Sequence, residues 1–323
     1  MHTISIKSII LILLVFLFCN QLNAKENIIS IDSTKAWKIT NSLSLTFGQS
    51  AYKYWAKGGE NSLSGLANYK ISAYYKKNKA SWENTLETSY GIIQQGDRKV
   101  FKTDDKIELT SIYGYKASDY WYYSGLMNFK TQYAEGFKTM DDTLSSSNFM
   151  SPGYLITSIG MEYKRTDFNL MLSAMTGKTT FVLNNRLSEE GAFGVDKGKK
   201  IKAGFGTYVR FTYKKQLMTN IELNNKLELF SDYFNNPEKV DVNWEILLKM
   251  KINKYFSTIF NFNLIYDYDT KYIVKDNQGI ILSDEAKVQY KEVFGLANSE
   301  KPTLAPSQFF PEVKMCYPIS ANL

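Results

Sequence analysis

Residues 221–233 read Ile-Glu-Leu-Asn-Asn-Lys-Leu-Glu-Leu-Phe-Ser-Asp-Tyr. Taken alternately, they separate into two faces. Ile221, Leu223, Leu227 and Leu229 share one face with Asn225, Ser231 and Tyr233, while Glu222, Asn224, Lys226, Glu228 and Asp232 share the other with Phe230. Side chains of a β-strand point to opposite sides in turn, so this stretch is a strand with one apolar and one polar side. Residues 200–214, 240–252 and 256–268 repeat the scheme. Weaker copies occupy 37–50, 61–76, 80–93, 105–116, 120–133, 154–164, 168–176 and 286–296. The pattern predicts a dozen strands, most of them longer than the five or six residues common in soluble domains. They are long enough to cross a bilayer at a tilt.

The connections carry a second signal. Those at 77–79, 117–119, 165–167, 215–220 and 253–255 are short. Those at 51–60, 94–104, 134–153, 177–199 and 269–285 are long, and 234–239 is brief. Short turns at one end and long loops at the other describe an outer-membrane β-barrel with an even number of strands. Aromatic residues gather beside the short turns: Tyr74, Tyr75, Tyr113, Tyr115, Tyr120, Trp121, Tyr122, Tyr123, Tyr163, Phe168, Tyr213, Tyr255 and Phe256. Amphipathic rings favour the headgroup level, so these residues are expected to form an interfacial girdle. The fold class expected is all-β, a transmembrane antiparallel up-and-down β-barrel of about twelve strands.

The 323 residues include 39 basic and 32 acidic side chains, with one histidine and two cysteines. His2 and Cys19 both fall in the first 24 residues, where Lys7 precedes an apolar run at 9–18 and Ala24 offers a small residue for cleavage. That is the layout of a secretory signal peptide, and the run is too short to be a transmembrane helix. A lipoprotein cut before Cys19 is the rival, but it places Phe18 where a small residue is wanted. The expected organisation is a signal peptide at 1–24, a periplasmic segment at 25–36, the barrel at 37–296 and a Pro-rich tail at 297–323. Cleavage after Ala24 leaves no histidine and only Cys316. A Ser-His-Asp triad, a His base and a His-ligated metal are then excluded, as is an intramolecular disulfide.

Six segments stand out: Trp55-Ala56-Lys57-Gly58-Gly59-Glu60-Asn61-Ser62, Trp82-Glu83-Asn84, Lys102-Thr103-Asp104-Asp105-Lys106-Ile107, Trp121-Tyr122-Tyr123-Ser124 with Phe129-Lys130-Thr131-Gln132-Tyr133, Ser151-Pro152-Gly153-Tyr154, and Val288-Gln289-Tyr290-Lys291-Glu292. Together they resemble an uncharacterised family of Bacteroidota-type Gram-negative bacteria, domain of unknown function 3078. The resemblance spans roughly residues 36–295. It implies an outer-membrane β-barrel and no established activity. It also implies a closing strand that ends in an aromatic residue, read by the assembly machinery. Here alternation stops after Leu296, and Pro302, Pro306, Pro311 and Pro318 follow. Proline cannot donate to a ladder, so the tail is not an interior strand.

With the apolar faces against lipid, the polar faces line the lumen. The candidate lumen residues are Glu83, Glu87, Glu108, Lys130, Gln132, Arg210, Glu222, Glu228, Glu245 and Lys249. They make either a polar pathway or a mixed-sign ion-pair network that fills the interior, and the near balance of charges favours the network. Asp104-Asp105 and Asp141-Asp142, in or beside outward loops, lack the spaced oxygens of a calcium loop. No catalytic residue, metal or cofactor is expected. The basic excess is spread over alternating strands rather than gathered in a nucleic-acid patch. The expected partners are outer-membrane lipid and lipopolysaccharide, the outer-membrane assembly machinery and an unidentified small solute. The function expected is passage or binding of a small polar solute, or an envelope structural role; the alternative is a soluble periplasmic or secreted β-barrel ligand carrier. The soluble carrier requires the faces reversed, with Glu222, Lys226 and Glu228 in water.

Overall fold

Each alternating segment becomes a strand, and each strand pairs antiparallel with its neighbour in sequence. The structure is a computed structural model that describes residues 36–54, 56, 58–253, 256–275 and 281–298. The expected signal peptide, nearly all of the segment at 25–36 and the tail beyond residue 298 lie outside the described residues. The strands are β1 (Trp37–Ser50), β2 (Ser62–Lys77), β3 (Ala80–Gln95), β4 (Phe101–Lys116), β5 (Trp121–Thr131), β6 (Gly153–Lys164), β7 (Phe168–Phe181), β8 (Ile201–Met218), β9 (Ile221–Asp232), β10 (Val240–Lys251), β11 (Phe256–Lys275) and β12 (Ile281–Asn298). They form one 12-stranded sheet in the order β1 to β12, an up-and-down barrel.

The polarity is that of a membrane barrel. Phe47 is 69% exposed and Ile159 is 68% exposed on the outer face, whereas Glu108 and Glu228, both 5% exposed, are buried inside. An apolar exterior around a polar interior suits lipid outside, and it is the opposite of the faces a soluble carrier needs. Two outward tryptophans satisfy their N–H groups on adjacent strands: Trp82 donates to Ser111 at 2.8 Å and Trp244 to Asn225 at 2.7 Å. At the turn end, outward rings touch in series. Trp121 meets Tyr163 at 5.1 Å between centroids, Tyr163 meets Phe168 at 5.8 Å, and Phe168 meets Phe211 at 6.0 Å. Tyr74 and Tyr122 do not join this girdle on the outer face, because Tyr74 shares the inward parity of Lys70 and Ser72, and Tyr122 that of Ser124 and, across the pair, Glu162. β1, at the end of the sheet order, is exposed on both faces from Trp37 to Leu43.

Several boundaries differ from the sequence expectation. β4 begins at Phe101, so the expected loop at 94–104 shortens, and Asp104 and Asp105 are strand residues. β11 and β12 extend towards each other, which turns most of the expected loop at 269–285 into strand. β5 stops at Thr131, leaving Gln132 in a loop, and β12 runs to Asn298. β8 reaches Met218, which tightens the turn before β9. The remaining long connections are at 51–61, 132–152 and 182–200.

β7 departs from strict alternation. Its register slips against both neighbours, between Ile159 and Met161 on β6 and between Ser173 and Thr176 beside β8. One extra residue in β7 makes a bulge, and the inward parity passes from Ser173 to Thr176. Thr176 donates to Ser173 Oγ at 2.9 Å, and Ser173 Oγ accepts from the Met175 N–H at 3.2 Å. Gly160 sits opposite, where a Cβ would overlap the Leu172 carbonyl oxygen. Bulge and glycine require each other.

Candidate functional site: a divided lumen

At mid-height, inward side chains from opposite walls meet. Glu108 (β4) accepts from Lys106 at 2.7 Å and from Asn128 at 3.0 Å, with Lys130 (β5) and Lys226 (β9) each 3.5 Å away. Glu228 (β9) accepts from Tyr208 at 2.8 Å and Asn243 at 2.8 Å, with Lys130 at 3.3 Å, Lys226 at 3.5 Å and Arg210 at 3.8 Å. Lys226 also reaches Glu245 at 3.3 Å, and Lys106 reaches Glu87 at 3.3 Å. Glu87 then meets Lys70 at 2.5 Å. Glu108 and Glu228 are each held by several donors, which is what a buried charge requires. Among the described residues Arg210 Nη1 has no hydrogen-bond partner, and as a buried donor it suits an ordered water.

Beside these charges lies an apolar patch that the faces read as polar do not suggest. Leu126, Met171, Tyr208 and Phe230 are buried together, with Ile112 and Ile156 packed on them. Ion pairs and apolar patch together form a septum. A turn-side vestibule of about 520 Å³ is lined in part by Glu83, Glu87, Arg165, Arg210 and Asn261. A loop-side vestibule of about 400 Å³ lies against Asn128, Lys130, Glu228 and Phe230 on its floor.

A cap roofs the loop side. Residues 182–200 hold a short helix, α1 (Asn185–Glu189), and a 3₁₀ turn at Ala192–Gly194. Val182, Leu187 and Val195 form a small core of their own. Asn184 caps α1 by accepting from the Leu187 N–H at 3.2 Å. Gly194, with φ 75°, lies so close to the Asp269 backbone of β11 that a Cβ would overlap it. The cap is tied to the 132–152 loop: Arg186 donates to the Ser145 carbonyl, and the Asn184 N–H donates to Ser151 Oγ at 2.8 Å. On the exposed side of the cap, Lys199 donates to Asp196 and holds its carboxyl below the usual range.

Of the ten candidate lumen residues, Glu87, Glu108, Lys130, Arg210, Glu228 and Glu245 come together in the septum. Glu83 lines the turn-side vestibule. Glu222 accepts from Asn224 at 2.8 Å on the same inner face, near the turns, opposite the exposed Lys249. Gln132 is not a strand residue. It donates to the Asn148 carbonyl at 2.8 Å and accepts from Ser147 at 3.2 Å, fastening the loop. The aspartate pairs do not converge either: Asp105 pairs with Lys102 at 2.6 Å, Asp104 accepts from Ser89, and Asp142 accepts from the Thr139 N–H at 2.9 Å. Among the described residues no three His, Cys, Asp or Glu side chains gather as a metal site.

Sequence reading missed Lys178, which pairs with Asp241 at 2.7 Å and Asp267 at 2.9 Å. The expected strand stopped at residue 176, where the bulge breaks the alternation. It also missed Glu162, which accepts from Ser124 at 3.0 Å and pairs with Lys164 at 2.9 Å. The alternation of 154–164 carries that signal, since Glu162 shares the parity of Ser158.

Residues 47–137 match the family described as "Protein of unknown function (DUF3078)". The match includes the quoted segments from Trp55 to Tyr133 and leaves those at 151–154 and 288–292 outside it. None of the curated proteins matches the chain. Among solved structures, the translocator domain of the autotransporter NalP from Neisseria meningitidis is similar at 10% identity and a TM-score of 0.31, covering 78% of this chain and 89% of that one. The FrpB iron transporter (F3-3 variant) of the same organism is similar at 10% identity and a TM-score of 0.35, covering 83% of this chain and 46% of that one. The chain thus spans about half the length of FrpB. These likenesses are remote, and the barrel assignment stands on strand pairing and on the polarity of the two faces.

Proposed function

We propose that this protein is an outer-membrane barrel, exported by its N-terminal signal, whose lumen is sealed at rest and holds small polar solutes in its vestibules. The observation that carries this reading is the septum, in which Lys130 and Lys226 each bridge Glu108 and Glu228. Paired charges that span a lumen obstruct it more than they select ions. The turns face the periplasm and the cap faces outward, towards lipopolysaccharide. The barrel form supports insertion by the outer-membrane assembly machinery. A non-enzymatic role is supported by the sequence, whose one histidine is His2.

The test has two arms. Carbonate washing should leave the protein in the outer-membrane fraction, and unboiled protein should migrate apart from boiled protein on a denaturing gel. In planar bilayers the intact protein should give little or no steady current. Release by carbonate would refute membrane insertion, and stable open-pore currents would refute the sealed lumen.

A further inference from the structure

The loop-side vestibule is built unlike the turn-side one. Its volume of about 400 Å³ lies within the usual range of small-molecule pockets. The cap puts Phe193 on its boundary, and that residue holds a left-handed backbone, φ 57°, rare for an aromatic residue. The core of Val182, Leu187 and Val195 keeps it there. Tyr208 and Phe230 supply further ring surface below.

On one wall the charges are unequal. Among the described residues Asp241 and Asp267 share a single ammonium, Lys178, which also lies 5.6 Å from the Phe230 ring centroid. The second oxygen of each carboxylate accepts a backbone N–H, Asp241 from Tyr268 at 3.1 Å and Asp267 from Asp269 at 3.0 Å. Those bonds fix the carboxylates without exhausting their acceptor positions. The other charged groups lining the vestibule, Lys130 and Glu228, already pair with each other. The wall therefore carries an excess of negative charge beside aromatic faces, both of which attract a cation.

We propose that the loop-side vestibule binds a small organic cation with an apolar body, its ammonium directed to Asp241 and Asp267 and its body against Phe193 and Phe230. The proposal rests on the reading of a sealed barrel, whose septum supplies the floor. An anion would meet the surplus carboxylate. A neutral molecule of the same shape would gain only the apolar burial.

Three probes with one body separate these cases: phenethylammonium, 2-phenylethanol and phenylacetate. Each is titrated by calorimetry into the full-length protein in detergent micelles, with empty micelles as the blank. Phenethylammonium should bind about tenfold more tightly than phenylacetate, the scale of one desolvated cation–π or charge contact. Asp241→Asn with Asp267→Asn should abolish that preference. Because this double variant removes the partners of Lys178, Phe193→Ala in the cap serves as a second probe and should weaken phenethylammonium while the heat-modifiable band persists. Equal binding of all three probes, a preference for phenylacetate, or no binding of phenethylammonium would overturn the site, as would unchanged binding in the Phe193 variant. A silent bilayer trace without binding overturns the site alone; open-pore currents overturn the sealed barrel itself.

Discussion

Lys226 on β9 reaches Glu108 on β4, Nζ to Oε1, across 3.5 Å of lumen. These strands are far apart in sheet order, so the contact exists only because the sheet curls. It also sets the first expectation. Lys226→Met leaves Glu108, Glu228 and Glu245 with fewer donors and should destabilise the barrel by about 3–5 kcal/mol. Lys226→Met combined with Glu108→Gln should recover part of that loss. Guanidinium unfolding in detergent, followed by gel mobility, measures both; equal stability of wild type and the single variant would remove the septum from the stability account.

The proposed sealed lumen puts the block to conduction at the septum rather than at the cap. Deleting residues 182–200 alone should leave steady currents small. Replacing Lys130, Lys226, Glu108 and Glu228 together with alanine should raise them. Planar-bilayer recordings of the two variants side by side decide the point, and currents that rise on cap deletion alone would move the seal to the loop side.

Ile159 points outward near the middle of β6. Ile159→Arg should cost about 2–4 kcal/mol if that face meets the bilayer midplane, and should deplete the heat-modifiable band. Glu245→Gln, on the inner face and only half-buried, should be milder. The reverse order would mean that water rather than lipid covers Ile159.

Gly160 faces the β7 bulge, and a Cβ there would overlap the Leu172 carbonyl oxygen. Gly160→Ala should therefore impair assembly, whereas Gly125→Ala, whose Cβ would come no closer than 4.0 Å to the Ser158 carbonyl oxygen, should be tolerated. Comparing the folded fraction of the two variants on unboiled gels is sufficient. Similar yields would mean that the bulge is not needed for pairing.

The alternation of 221–233 determined the strand, its two faces and the inward direction of Lys226 and Glu228, because period two is a property of the local backbone. The same local rule accounts for the twelve strands, and the clustering of Trp121, Tyr163 and Phe168 beside the short turns accounts for the outer girdle. It fails at Ser173–Thr176, where one extra residue reverses the parity and turns Lys178 inward to Asp241 and Asp267. A bulge is specified by what lies opposite it, here Gly160, and no window along β7 contains that partner. Strand ends at Phe101 and Lys275 likewise depend on the neighbouring strand continuing far enough to receive their hydrogen bonds. The meeting of Lys130 with Glu228, 98 residues away, depends on the curvature of the whole sheet. Local chemistry decided which side chains face the lumen; only closing the walls upon each other decided which of them touch.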